Sequence, residues 1–270
     1  MVIKMKDIKL VIFDIDGTLL DAGKDRIEDS AVEAIHQLKT NGVMVGVATG
    51  RSMDFIKAHV KEVLDCDYYV TINGHCTLDR HKEVIIQHPI ETSSVTRLLR
   101  LSETLNIPMG LKTAHQMVVL NDYQGFYDHY SQGFDVRHLL LDNTVEKDYY
   151  LKDTPALGIF LIANVAKMDP YRNDFPEFKF IGAGSHGMDV FRSDINKTKG
   201  IEEVLNLVGL TWDNVMVVGD GDNDIEMMKK AALAIAMGNG TAACKAVSDY
   251  VTGDVDAGGI AQALKHFELI

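Results

Sequence analysis

The stretch LVIFDIDGTLLD, residues 10–21, decides the fold. Four apolar residues, Leu10 to Phe13, run straight into Asp14 and Asp16, with Gly17 and Thr18 behind them. An apolar run this short, rich in branched side chains and closed by a glycine turn, reads as a buried strand. Two acids spaced two apart at a strand end lean to the same side, and Gly17 lets the chain turn sharply away.

The pattern returns twice. VMVGVATGR (43–51) and NVMVVGDGDND (214–224) are also branched apolar runs that end in glycine, threonine or aspartate. Between the first two lies DSAVEAIHQLKTNG, where Val32, Ile35 and Leu38 recur about once per helical turn and Asn41-Gly42 supplies a stop. KTKGIEEVLNLVGL (197–210) behaves the same way, with Ile201, Val204, Leu205 and Val208 on one face and Gly209 after them. Strand, helix and strand with near-continuous apolar strands predict an α/β fold, a doubly wound parallel sheet covered on both faces. Such sheets take their ligands at the C-terminal strand ends, where the polar residues gather.

From about 85 to 185 the pattern changes. Helix candidates such as TSSVTRLLRLSETLN alternate with strand candidates QMVVL, ALGIFLI and FKFIG, none ending in the acid-and-glycine signature. The expected organisation is a Rossmann-like core of residues 1–84 and 186–270, interrupted by an inserted α+β domain of residues 85–185. GFYDHYSQGF (125–134), aromatic and polar, suits a binding loop but is expected as a packed strand edge, and Met227 and Met228 as core filler.

Composition narrows the function. The chain has 270 residues and a formal net charge of −12, which disfavours nucleic acid and anionic membrane surfaces as partners. Three dispersed cysteines, Cys66, Cys76 and Cys244, offer neither a disulfide framework nor paired zinc spacing and fit a reducing compartment. The longest apolar run, ALGIFLIANVA, is too short for a bilayer core of ~30 Å. A soluble cytoplasmic protein is expected.

Acids massed at adjacent strand ends repel one another unless a counter-charge joins them. A hard divalent cation, Mg2+, suits an all-oxygen donor set and keeps room for water and phosphate. Asp14 and Asp220 are the expected carboxylate ligands, with Asp224 placed to ligate or orient; Asp222 and Asp224 equally suit the capping of the helix that follows. Phosphate also needs donors. In ATGR, Thr49 offers a hydroxyl, Gly50 an open backbone N–H and Arg51 a guanidinium, a set that resembles an oxyanion-holding turn at a helix start. Of the two lysines in NKTKG, Lys197 opens the apolar face of its helix, whose apolar residues follow at +4, +7, +8 and +11, and Lys199 lies off that face.

Taken in order, DIDGTLLD, ATGR, a lysine opening a helix, and GDGDND resemble the four motifs of the haloacid dehalogenase-like hydrolases. The insertion resembles the C2-type cap of the Cof-like phosphatases, and TINGH (71–75) their asparagine-glycine turn, with His75 in place of the usual small residue. The resemblance implies that Asp14 is a nucleophile forming an aspartyl-phosphate. Asp16 would be general acid and then base, its backbone carbonyl on the metal. Thr49, Gly50, Lys197 and Asn223 would hold phosphoryl oxygens. Asp220 and Asp224 would complete a magnesium site. The expected activity is a magnesium-dependent phosphatase acting on small phosphorylated metabolites, sugar phosphates first and pyridoxal phosphate among the others. A sugar phosphomutase and a non-catalytic phosphate-ligand-binding protein are the alternatives; a dehalogenase is disfavoured because attack on carbon does not need Asp16.

Overall fold

The computed structural model describes residues 7–131, 136–152, 154–183 and 187–270. Five strands come first: β1 (Leu10–Phe13), β2 (Met44–Ala48), β3 (Tyr68–Thr71), β4 (Cys76–Asp79) and β5 (Val84–Gln87). The next six are β6 (Met109–Lys112), β7 (Met117–Asn121), β8 (Leu140–Asp142), β9 (Gly158–Leu161), β10 (Phe178–Ala183) and β11 (Gly187–Arg192). β12 (Val215–Gly219), β13 (Leu233–Ala236) and β14 (Tyr250–Val251) follow. The chain divides into two compact units, one of residues 1–51, 56–86 and 196–270, the other of residues 52–55 and 87–195.

The first unit is built on one sheet in the order β14-β13-β12-β1-β2-β3-β4-β5. From β14 to β3 every pairing is parallel, and β4 turns back antiparallel on β3. β1 is central and wholly buried, and each of its side chains contributes ~1.5–3 kcal/mol of apolar burial. Leu10 and Ile12 pack into a core with Ile201, Val204 and Leu205 of the helix Lys197–Val208 and with Met227 and Met228. Strand alternation sends Val11 and Phe13 to the opposite face, the face of helix Asp29–Thr40, which packs on β2 and on helix Gly259–His266. This is the doubly wound parallel-sheet α/β core. Within helix 29–40 the buried stripe is Ala31, Ala34, Ile35 and Leu38; Val32, expected on it, is half-buried. Gly209 ends the later helix in the left-handed region at φ 70°.

The inserted α+β cap carries a six-stranded sheet, β10-β11-β9-β6-β7-β8, antiparallel except between β7 and β8. Helix Thr92–Thr104 covers one face through Val95, Leu98 and Leu99 against Met109, Leu111, Val118, Ile159 and Val190. On the other face Met117, Val119 and Phe160 pack with Phe126.

Three expectations need correction. Residues 187–192 pair with β10 and β9 and so belong to the cap, not the core; the expected boundary itself, 185/186, lies outside the described residues. Residues 52–55 also join the second unit, where Met53 N–H donates to Ala114 O at 2.9 Å. The segment from 125 is not a strand edge: Tyr123–Tyr130 is a helix. Asp122 caps it by accepting from Gly125 N at 3.0 Å, and the spacing of Phe126 and Tyr130 puts both rings on one side, stacked at 5.2 Å. Residues 132–134 of that segment lie outside the described residues.

Candidate active site

The motifs meet because their strands are neighbours. Phe13 stands opposite Val47 of β2 and Val218 of β12, so Asp14, Thr49 and Asp220 leave adjacent strand ends. Asp14 N–H donates to Val218 O and Thr49 N–H to Val70 O, each at 2.9 Å, fixing both backbones as they leave the sheet. Gly17 turns the chain at φ 84°, and any Cβ there would lie 2.2 Å from Asp220 Oδ2. Only glycine permits that approach.

Lys197 opens its helix just after Asn196, whose side chain accepts from Lys199 N. Its ammonium is buried, 1% exposed, and donates to Asp14 Oδ1 at 2.5 Å and to Asp224 Oδ1 at 2.7 Å. Lys199, by contrast, is half-exposed and lies 3.6 Å from Glu203. The second oxygen of Asp224 accepts from Asp220 N and Gly221 N at 3.1 and 3.0 Å. Both oxygens of Asp224 are therefore engaged, one on the lysine and one on the turn that carries Asp220. Asp220 Oδ1 accepts from the buried hydroxyl of Thr18 at 2.9 Å.

Asp14, Asp220 and Asp224 each bring a carboxylate oxygen within 4.8 Å of the others, an all-oxygen set suited to a hard divalent ion. Its electrostatics also fit a cation. Burial, with Asp224 and Asp16 adding repulsion, pushes the Asp14 carboxyl up to about 8 in spite of Lys197. Burial likewise lifts Asp220 to about 6, against the pull of the Thr18 hydrogen bond. For Lys197 burial opposes the charged form, but Asp14 and Asp224 outweigh it and hold the amine above the ordinary lysine range. One ammonium against three acids leaves an excess of negative charge that a divalent ion would neutralise.

The other expected residues divide. Thr49 is buried and its hydroxyl accepts from Arg51 N at 3.2 Å. Gly50 follows it in the same turn. Asp16 departs from the cluster: its carboxylate is largely exposed and both oxygens are held by Arg51, at 2.8 Å through Nε and 2.6 Å through Nη2. ATGR does not open an α-helix directly; a short turn of 3-10 helix, Met53–Phe55, follows it, and the next helix is Ala58–Leu64. Asn223 is exposed and reaches Asn73 Oδ1 at 3.5 Å. Asp222 accepts from Thr241 Oγ1 at 2.9 Å, outside the metal set.

Sequence reading missed three supports. Thr18 holds Asp220, and its place beside Gly17 in the first motif was the available signal. Asn239 donates to Gly17 O at 2.7 Å and accepts from Val255 N at 2.8 Å, clamping the first turn from a distant loop that carries no signal. Arg51, an anion donor on sequence grounds, grips both carboxylate oxygens of Asp16, a contact the sequence does not signal.

A family model described as haloacid dehalogenase-like hydrolase matches residues 11–264. The chain is 26% identical over 265 residues to the 5-amino-6-(5-phospho-D-ribitylamino)uracil phosphatase YcsE of Bacillus subtilis, covering 97% of each chain. It is 27% identical to a Streptococcus pyogenes protein whose name joins a phosphatase to a peptidyl-prolyl cis-trans isomerase; 99% of this chain is covered, but the match spans only about half, 55%, of that longer protein. The solved structure of BT4131, described as a subclass IIB sugar phosphatase, superposes with a TM-score of 0.83 at 28% identity, covering 97% of this chain and 100% of the other.

Proposed function

The chain belongs to the haloacid dehalogenase-like hydrolases, as a phosphatase of the Cof-like kind, and from that premise we propose that it hydrolyses small phosphorylated metabolites through an aspartyl-phosphate on Asp14, with magnesium as cofactor. The observation that carries this reading is the cluster in which Lys197 bridges Asp14 and Asp224 while Asp220 stands within ion-sharing distance.

Phosphoryl transfer asks the protein for in-line positioning and charge compensation more than for covalent chemistry of its own. An Asp14 oxygen attacks phosphorus, and the bond to the leaving oxygen breaks as Asp16 gives that oxygen a proton. Water then attacks the acyl phosphate, Asp16 takes its proton, and Asp14 and inorganic phosphate are released. Both oxygens of Asp16 are held by Arg51, so Asp16 acts only after turning off the guanidinium. Lys197, Thr49, Gly50 and Asn223 bind phosphoryl oxygens. Asp14 and Asp220 carboxylates with the Asp16 carbonyl would hold the ion, and Asp224, already spent on Lys197 and the 220–221 backbone, would orient them. A bound magnesium ion supplies neutralisation between the Asp14 carboxylate and the phosphoryl dianion.

Sugar phosphates lead the substrate classes. The sugar phosphatase named above and the ribityl phosphate in the name of YcsE both support a polyhydroxylated leaving group; pyridoxal phosphate follows. The net charge of −12 and the small-molecule relatives support a cytoplasmic enzyme without nucleic acid as partner. The test is release of inorganic phosphate from p-nitrophenyl phosphate and from a panel of phosphorylated sugars, sugar alcohols and pyridoxal phosphate, with and without Mg2+. Magnesium-dependent release, strongest with a sugar or sugar-alcohol phosphate, is expected. An isomerised sugar phosphate without free phosphate would make the protein a mutase; no turnover of any monoester would overturn the reading.

A further inference from the structure

Three consecutive residues after β3, Ile72, Asn73 and Gly74, have φ of 51°, 51° and 92°. A β-branched isoleucine in the left-handed region is an outlier, and such strain persists only where the surroundings over-determine it, most often at functional sites. Here the surroundings are explicit. A Cβ on Gly74 would lie 2.0 Å from Asn196 O and one on Gly200 3.0 Å from the Gly74 α-carbon, so the turn is seated on the first turn of the Lys197 helix. His75 is fully buried, and its backbone N–H and ring Nδ1 both meet Ile72 O, at 3.1 and 2.8 Å. Asn73 N–H donates to Thr49 O at 2.8 Å.

The strained turn thus delivers one side chain to the site. The Asn73 carboxamide lies against Gly50: a methyl added there would meet Asn73 Nδ2 at 3.3 Å, nearer than Oδ1 at 3.6 Å. Oδ1 is turned to Asn223 Nδ2. The amide is bracketed by two groups assigned to the phosphoryl oxygens, with its donor end toward the Thr49–Gly50 turn. We propose that Asn73 is a further phosphoryl-oxygen ligand, donating through Nδ2 beside Thr49, Gly50 and Lys197. This rests on the phosphoryl-binding reading of the site. A neutral donor suits the position, because it adds a hydrogen bond to the anion without adding a cation that would compete for the acidic cluster.

The alternative role is conformational: asparagine tolerates the left-handed region and would serve only to make the turn. Glycine tolerates it better, which separates the two. Titration calorimetry with inorganic phosphate and Mg2+, together with p-nitrophenyl phosphate kinetics and thermal melting, is applied to the full chain and to Asn73→Gly and Asn73→Asp. The expected result is that Asn73→Gly keeps the parent's melting midpoint but binds phosphate about tenfold more weakly, the loss of one hydrogen bond to a charged group, with KM raised more than kcat is lowered. Asn73→Asp binds more weakly still, through repulsion. Phosphate affinity within twofold of the parent in Asn73→Gly overturns the proposal; if that variant fails to fold, parent-like affinity in Asn73→Asp overturns it instead. A parent that binds phosphate but hydrolyses no monoester refutes the catalytic reading and leaves the Asn73 comparison decisive on its own; a parent that binds no phosphate overturns both.

Discussion

Each unit of this molecule buries a lysine against an aspartate, and the two pairs mean different things. In the core, Lys197 is 1% exposed and sits 2.5 Å from Asp14. In the cap, Lys112 at the end of β6 is 7% exposed and sits 2.5 Å from Asp189 of β11. The difference is stoichiometry. Lys197 faces a second carboxylate, Asp224, at 2.7 Å, with Asp220 beside them, so acids outnumber the base. Among the described residues the carboxylate against Lys112 is that of Asp189, with the rings of Phe191 and Phe160 at 5.0 and 5.8 Å from their centroids. A balanced pair with aromatic walls is architecture. An unbalanced cluster of this kind suits the metal and phosphate site proposed above. Burial of charge alone does not separate the two; the count of opposite charges around it does.

Substitution of the acids should separate the pairs most widely. Asp14→Asn removes the proposed nucleophile, and magnesium-dependent turnover of p-nitrophenyl phosphate should fall by about 10³-fold or more while circular dichroism stays that of the parent. Asp189→Asn should leave the turnover number within about threefold, because its ion-pair partner among the described residues is Lys112 of the same unit. A large loss of turnover in the cap variant at unchanged folding would break the contrast.

Stability sharpens it next. Lys112→Met strands a buried carboxylate and should cost about 3–5 kcal/mol, the usual effect of breaking a buried pair. Lys197→Met should cost a comparable amount in metal-free protein, and Mg2+ should recover part of that loss. No such recovery is expected for Lys112→Met. Chemical denaturation with and without Mg2+ reads both.

The pH dependence follows from the acids. Asp14 and Asp220 are lifted from 3.8 to about 8 and about 6, and burial raises Asp189 as well. A raised carboxyl pKa means that the folded state holds protons the unfolded chain has released. Metal-free stability should therefore decline as pH rises from about 4 toward 8. Magnesium should stabilise more at pH 8 than at pH 5.5, because only the ionised cluster binds it, and the Asp189 contribution should ignore the metal. Melting curves across pH with and without Mg2+ test this; a magnesium effect larger at pH 5.5 would contradict it.

The smallest effect is expected at Asp222, an exposed residue of the same motif whose recorded bond is to Thr241 Oγ1. Asp222→Ala should stay within about 0.5 kcal/mol of the parent in stability and near it in turnover. It marks where a conspicuous motif stops contributing.

The same contrast explains what the sequence made legible. In the core, Asp14, Thr49 and Asp220 each follow an apolar strand, and strand ends that are neighbours in the sheet bring these distant motifs together. Lys197 was separable from Lys199 because its helix has a clear period that puts Lys197 on the buried face. What escaped was the direction of side chains: Asp16 turned to Arg51, and Asn73 placed by three left-handed residues that only coordinates reveal. In the cap, Lys112 and Asp189 lie in separate strands with no intervening pattern, and their pairing comes from strands that are not consecutive in the chain. In Tyr123–Tyr130 the aromatic content suggests a strand, but Tyr123, Phe126, Tyr127 and Tyr130 are spaced i, i+3, i+4 and i+7 behind the Asp122 cap, the period of the helix observed.

The central claim is that the Asp14 carboxylate becomes phosphorylated. The direct measurement is acid quenching during turnover of a monoester with Mg2+, followed by borohydride reduction and peptide mass spectrometry, which converts an aspartyl-phosphate to homoserine. The account predicts homoserine at position 14 and unmodified aspartate at 16, 220 and 224. Brisk turnover with Asp14 unmodified, or homoserine at another acid, would contradict it.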